Sequence, residues 1–521
     1  MTDEVKITNV LDMLDDTAAR YPRRVAFADP YRKITFGKLK RSTEVIGSFL
    51  MSEESGVLLQ PGEAVAFYME KSVRAVEAML GAVRAGGFYS FIDVRQPAER
   101  AAGVISVLEP AVIVTDGDNS ESLRAALMIL GERYEVYDIS ELHVCAEASE
   151  TDRAALKRVR DSFCDTMPLY VNFTSGSTGT PKGVAVGHAS VIDFISEFTQ
   201  VFGIDRNDVI ANQAPFDFDV SVKDVYSGLY TGARVQLIPR DYFTKPTLLM
   251  DYLADNGTTT LIWAVSAMCF VTIMNALEYR VPEKIDKIMF SGEIMPVKQL
   301  NKWRSFLPDA TYVNLYGPTE ITCNCTYHIL DREYGKDELI PAGIPFANEK
   351  VFLLDERDRL VTEPEEEGEI CVGGTCLAIG YYRDRERTEQ VFVQNPLNDR
   401  YHERIYRTGD LGKYDEEGRL IYTSRKDFQI KHMGQRIELG EIEVAAMSVT
   451  GVSRACCTYD HKKKKIMLYY TGEAGKERVT KVLQQKLPQY MVPGKTTRIA
   501  EMPMNKNGKI DRGRLGECAP V

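Results

Sequence analysis

Residues 170–186 read "YVNFTSGSTGTPKGVAV": an apolar strand-like run, seven consecutive Thr, Ser or Gly residues, a Pro-Lys-Gly step, and a second apolar run. Small hydroxyl residues interleaved with glycines can wrap phosphate oxygens with N–H and O–H donors, and one lysine adds a point charge. The candidates are Thr174, Ser175, Gly176, Ser177, Thr178, Gly179 and Lys182. The ATPase P-loop, G-x-x-x-x-G-K-[ST], does not fit this stretch. Counting from Gly176, Pro181 stands where the second glycine belongs, and Gly183 where a hydroxyl would meet magnesium. Proline also removes a backbone donor from the cradle. Taken alone, the loop points to a nucleotide role, with a long hairpin between two buried strands as the alternative.

Three further stretches carry groups of the same chemistry. "NLYGPTE" (314–320) joins an aromatic, a tight Gly-Pro turn, a hydroxyl and a carboxylate behind a strand-like run. "YRTGDLGKYDEEGRLIYTSRKDFQIKHMGQRIELGEIE" (406–443) and "MPMNKNGKIDR" (502–512) supply acids, arginines and lysines, the last on an Asn-Gly turn.

The elements that must hold these groups alternate. A helix pattern at Val10, Leu11, Leu14 and Ala18 is followed by the strand-like "RVAFAD" and a helix opening at Thr35. "GEAVAFYME" (62–70), "SVRAVEAMLGAVRAG" (72–86) and "FYSFID" (88–93) repeat strand, helix, strand, and the rhythm continues through "AVIVTD", "RVQLIP", "TTLIWAV" and "KIMFSGE". Such alternation predicts a layered α/β architecture. From about Ala347 short strands and turns predict a β-rich subdomain over about 345–425. "HKKKK" (461–465), between "RACCTYD" and "IMLYYTG", reads as a solvated hairpin tip or as a docking patch for an acidic partner.

At 521 residues the chain is long enough for two or more domains. A net charge of −11 argues against a general nucleic-acid binder. The N-terminus is acidic and amphipathic rather than a basic-then-apolar leader, and no run of about 18 apolar residues is present for membrane insertion. The ten cysteines form no Cys-x-x-Cys pair, which predicts reduced thiols and a cytoplasmic location.

Taken in order, the loop, "NLYGPTE", the 406–443 stretch and the "NGKIDR" tail resemble the ANL superfamily of adenylate-forming enzymes, over nearly the whole chain. The resemblance implies a large N-terminal core (1–426), a small mobile α+β C-terminal domain (427–521), and a hinge at Asp427. It implies ATP and Mg²⁺. The 174–182 loop would hold the β- and γ-phosphates, and Asn314, Leu315, Tyr316, Gly317 and Pro318 would line the nucleotide pocket. Thr319 would touch the α-phosphate, Glu320 would hold the metal, and Asp410, Tyr422 and Arg425 would meet the ribose or phosphate. Lys509 would bridge substrate carboxylate and α-phosphate during adenylation. In a second domain posture, Lys431 and Gly434 would face the thiol. Ser424 replaces the family's glycine before the hinge arginine.

Within "APFDFDVSVKDVY" (214–226), Asp219 matches the aspartate that binds the substrate ammonium in amino-acid-activating members. The other pocket walls would be Val220, Lys223, Trp263, Met289, Ser291, Leu315, Cys323 and Asn324. The closest resemblance is to stand-alone D-alanine–carrier protein ligases and to nonribosomal peptide adenylation domains. It implies a separate acidic carrier protein with a phosphopantetheine arm. Lys223 and Ser291 depart from the D-alanine pattern: Lys223 either pairs with a substrate carboxylate or polar side chain, or points away and bonds a neighbour such as Asp219. D-alanine and another small or polar amino acid remain open. The alternatives are an acyl- or aryl-CoA synthetase of the same superfamily, and a non-catalytic adenylate-binding protein.

Overall fold

The computed structural model describes residues 7–131, 134–176, 181–336, 338–461, 463–504 and 510–520. Among them, two large sheets and a smaller β-rich sheet make the main body, with helices packed between and around them. One seven-stranded sheet runs, in spatial order, Gly380–Tyr381, Lys182–Gly187, Pro168–Thr174, Phe88–Phe91, Ala64–Tyr68, Val112–Thr115 and Val136–Asp138. Its Phe88–Phe91, Ala64–Tyr68 and Val112–Thr115 strands are parallel and buried throughout, which is why they read as continuous apolar runs rather than alternating ones. The nine-stranded sheet carries the parallel strands Val209–Asn212, Thr260–Ala264, Lys287–Ser291 and Thr311–Tyr316 at its centre.

The expected helices form with the caps that their sequences supply. Thr35 accepts from the Lys38 N–H at the start of Phe36–Met51, and Ser72 accepts from the Ala75 N–H at the start of Val73–Arg84. The strands of Glu349–Leu354, Gly368–Gly374 and Arg404–Tyr414 build the expected β-rich part.

Beyond Asp427 a C-terminal lobe has its own apolar core, with Ile437, Ile442, Leu468, Val479 and Leu483 buried together. A short hairpin, Gln429–His432 paired with Gln435–Glu438, precedes its three-stranded sheet. Met433 and Gly434 turn this hairpin with φ of 55° and 77°, the left-handed pair of a tight two-residue turn. His461, Lys463 and Lys464 lie at the hairpin tip between Val452–Asp460 and Lys465–Gly472.

Candidate active site

The 174–182 loop is carried on an antiparallel hairpin, Pro168–Thr174 with Lys182–Gly187, in which Thr174 faces Lys182. Ser177, Thr178 and Gly179 lie outside the described residues, as does Lys509. Ser175 and Gly176 are buried, and the Thr174 hydroxyl is buried without a hydrogen-bond partner among the described residues. That unmatched hydroxyl suits a ligand that brings acceptor oxygens.

Lys182 reaches the end of a neighbouring strand. The chain leaves Thr311–Tyr316, turns at Gly317-Pro318, and forms a short 3-10 turn over Thr319–Ile321. Gly317 is required by contact: a Cβ there would stand 2.5 Å from the Asn324 Cα and 2.7 Å from the Cys323 carbonyl oxygen. The turn fully buries Glu320, whose carboxylate accepts from the Tyr381 hydroxyl at 2.8 Å and lies 3.5 Å from Lys182 Nζ. Its other oxygen pairs with Arg436 Nη1 at 2.6 Å, from the C-terminal hairpin. Burial raises the carboxyl, but Arg436, Lys182 and the Tyr381 hydroxyl outweigh it and hold Glu320 below the usual carboxylate range. The two cations also repel each other. Burial and Arg436 together push the Lys182 ammonium down to about 8, against the pull of Glu320.

Beside this cluster opens a cleft of about 740 Å³, lined by Asn314, Leu315, Tyr316 and Gly317 from the main body, and by Tyr422, Arg425 and Lys431. The Tyr316 hydroxyl donates to Asp410 at 2.6 Å, and the Asn314 amide donates to the Pro341 carbonyl at 2.8 Å. Tyr316 and Tyr422 stand 6.1 Å apart, and Lys431 Nζ lies 5.7 and 5.9 Å from their ring centroids. Burial pushes the Lys431 ammonium down. Arg425 pairs with Asp410 and grips Asp427 through two 2.7 Å bonds, which ties the expected hinge residue to the cleft wall. Pro318 opens the 3-10 turn as its cap.

The expected substrate residues gather on the other side of Gly317. Asp219 precedes the helix Val220–Thr231 but its side chain does not cap it; Thr319 lies beside the carboxylate, and burial raises its pKa. The Asp219 carbonyl accepts from the Cys323 thiol at 2.8 Å. Lys223, fully buried, donates to Asn324 Oδ1 at 2.5 Å, so it turns to a neighbour other than Asp219. Val220 is buried on the same helix. Met289, Leu315 and Cys323 pack into one apolar core, and Ser291 ends the Met289 strand on the same face.

Trp263 is a correction. Its indole donates to the Ala211 carbonyl at 2.8 Å and its ring packs with Phe243, Ile288 and Phe290 in a second core. Strand alternation puts its neighbours Ile262 and Ala264 on the side of Met289, and Trp263 on the opposite face. Ala264 lies by the hairpin tip, 3.8 Å from where a Cβ on Gly434 would stand. Reading the period-2 alternation of "TLIWA" would have selected Ala264.

Sequence reasoning also missed Tyr381, Arg436 and Glu293. Glu293 accepts from the Gly434 N–H at 2.5 Å and lies 3.8 Å from Lys464 Nζ, so one lysine of the "HKKKK" tip faces the main body. Nothing in the one-dimensional pattern pairs groups this far apart. Among the described residues, no set of three or more His, Cys, Asp or Glu is arranged to hold a metal ion.

The AMP-binding enzyme family profile matches residues 14–382. The chain belongs to that family. It is 33% identical, over 98% of its length and 97% of the relative's, to an L-proline–[L-prolyl-carrier protein] ligase of Streptomyces coelicolor. It is 30% identical, over 98% of its length and all of the relative's, to a D-alanine–D-alanyl carrier protein ligase of Bacillus licheniformis. Among solved structures, it superposes with a TM-score of 0.82 on an NRPS protein containing adenylation and PCP domains, solved with a vinylsulfonamide inhibitor. That likeness is at 25% identity and covers 97% of this chain and 84% of the other. The fold is accordingly that of the adenylate-forming enzymes expected from the motifs.

Proposed function

We propose that this chain activates an amino acid as aminoacyl-AMP, releasing pyrophosphate, and passes the aminoacyl group to the phosphopantetheine thiol of a separate, acidic carrier protein. D-alanine or another small or polar amino acid is the substrate class that the motifs suggest. One observation carries the reading: adjacent residues Thr319 and Glu320 contact, respectively, the candidate ammonium ligand Asp219 and the phosphate-loop lysine Lys182. An amino acid held by Asp219 would thus lie within one turn of chain from the polyphosphate site. The carrier-ligase relatives support the same chemistry.

In the first half-reaction a substrate carboxylate oxygen attacks the α-phosphorus and the bond to pyrophosphate breaks. Both reactants are anionic, so the site must supply positive charge and donors where charge accumulates. Lys182 and the Thr174 hydroxyl supply these at the leaving phosphates. Tyr316 and Tyr422 offer aromatic faces to a base, and Asp410 accepts from sugar hydroxyls. Glu320 suits Mg²⁺, a hard cation that takes one or two carboxylates and completes its shell with phosphate oxygens and water. The ion would neutralise polyphosphate charge. Lys509 is assigned the link between carboxylate and α-phosphate. In the second half-reaction a thiolate attacks the acyl carbon and AMP leaves.

The hairpin 429–438, with Arg436 on Glu320 and Gly434 on Glu293, suits the thiol-transfer posture. Residues 427–521 would then swing about Asp427 to bring Lys509 in. Asp219, half-buried in the site, disfavours the CoA-synthetase reading, because a substrate without an ammonium would leave that carboxylate uncompensated. A cytoplasmic location is part of the proposal. Among the described residues, no helix is long and apolar enough to cross a membrane.

ATP–pyrophosphate exchange across D- and L-amino acids tests the first half-reaction; exchange with none of them would overturn it. Lys509→Ala is expected to abolish exchange and to spare transfer from a supplied aminoacyl-adenylate. Undiminished pyrophosphate release by that variant would remove Lys509 from the mechanism.

A further inference from the structure

The charges around Lys223 do not balance without a ligand. Lys223 sits on the helix Val220–Thr231 with no exposed surface, yet its ammonium, a donor of three hydrogens, has one hydrogen-bond partner, Asn324 Oδ1. Among the described residues no ion pair joins it to Asp219, whose carboxylate lies beside Thr319. Asp224, the next residue, is turned the other way. It accepts from Asn212 Nδ2 at 2.6 Å, and Asn212 Oδ1 in turn accepts from Lys71 at 2.8 Å. Burial pushes Asp224 up to about 7, against the pull of Lys223 and Lys71, and its other oxygen is buried without a hydrogen-bond partner among the described residues. Lys223 is a buried cation that no ion pair joins, among the described residues, to Asp224 or to the half-buried Asp219 one helical turn before it. Beside them the Tyr170 hydroxyl is buried and lacks a well-formed hydrogen bond.

Asn324 packs against Gly317, a residue of the cleft lining, and Lys223 follows Asp219 by one helical turn, so its head group shares the helix face from which a side chain anchored at Asp219 would extend. A methyl or apolar ring there would leave the ammonium uncompensated, and Lys223 would repel the substrate's own ammonium from Asp219. A second negative charge on the substrate resolves both conflicts: its ammonium takes Asp219 and its side-chain carboxylate takes the free hydrogens of Lys223.

We propose that the activated substrate is an acidic amino acid, with Lys223, oriented by Asn324, as the residue that selects its side-chain carboxylate. The proposal rests on the amino-acid activation reading above. It separates this chain from relatives named for proline and D-alanine, whose side chains bring no charge for such a lysine.

The test is ATP–pyrophosphate exchange by the full chain with both enantiomers of aspartate, glutamate, asparagine, glutamine, alanine and proline. Aspartate or glutamate is expected to exceed alanine and proline in kcat/KM by at least about 100-fold, because a site built for a polar partner rejects analogues lacking it. Lys223→Leu is expected to reverse that ranking, lowering the acidic substrate roughly 100-fold and raising an apolar one. A wild-type preference for an apolar or amide side chain overturns the acidic assignment while leaving amino-acid activation intact. Exchange with no amino acid removes both. Should Lys223→Leu fail to fold, as judged by its thermal transition, the wild-type ranking alone decides.

Discussion

Glu320 is one carboxylate shared by three donors from three separate stretches of chain, and its behaviour follows from that. Glu320→Gln would leave Lys182 and Arg436 facing each other across a neutral amide. The expected outcome is a loss of pyrophosphate exchange of roughly 100-fold or more, measured at saturating ATP. Lys182 titrates unusually low, near 8. Below that pH its ammonium is charged and available to phosphate; above it the charge is lost. The apparent KM for ATP is therefore expected to rise as pH passes 8. Lys182→Arg should keep KM level over that range, because a guanidinium stays charged. Stability moves the other way. The unfolded lysine keeps its proton to about 10.4, so burying the ammonium destabilises the fold at neutral pH, and that cost is relieved as pH rises from about 8.

Single elements explain which site residues were legible in the sequence. The phosphate hairpin, "NLYGPTE" and the Asp219 helix each keep their chemistry within a short contiguous stretch, so motif and spacing suffice to find them. The motif match assigns Trp263 to the pocket wall, but every second residue of that strand faces the other core, and Trp263 is one of them. Trp263→Phe is expected to cost about 1–2 kcal/mol through the lost bond to Ala211, read as a lower thermal transition, with the substrate profile unmoved. Tyr381 and Arg436 were not legible because their partners lie 61 and 116 residues away and meet Glu320 only through sheet pairing and lobe docking. Arg436→Ala should slow thiol transfer from a supplied adenylate more than it slows pyrophosphate exchange. An equal loss in both would show that the hairpin has no special part in transfer.

At the scale of the molecule, ion pairs join the two lobes: Arg436 with Glu320, Lys464 with Glu293, and Arg100 with Glu441. Arg100 and Glu441 form a buried pair across the junction, with 8% and 3% of their side chains exposed. In the lobe swing proposed above, both sides of this pair would have to be uncovered and rehydrated. Arg100→Ala would leave Glu441 buried and alone, a penalty of about 3–5 kcal/mol that applies to this posture only. The population should shift away from it, seen as faster proteolysis near Asp427 or as a change in distance between fluorophores on the lobes. The layered α/β body itself was fully readable from alternating runs, since parallel strands buried on both faces leave unbroken apolar stretches.

The guanidinium on Glu320 has one more consequence. If Glu320 is the magnesium ligand proposed above, Arg436 and the ion compete for the same oxygens, and lobe position becomes thermodynamically linked to free divalent cation. Each tenfold rise in magnesium, once it saturates that carboxylate, would tilt the balance against the docked lobe by up to about 1.4 kcal/mol. Glu320, when free of a cation, would be open to Arg436, so the occupancy of one carboxylate would set the lobe's preferred position without any dedicated sensor.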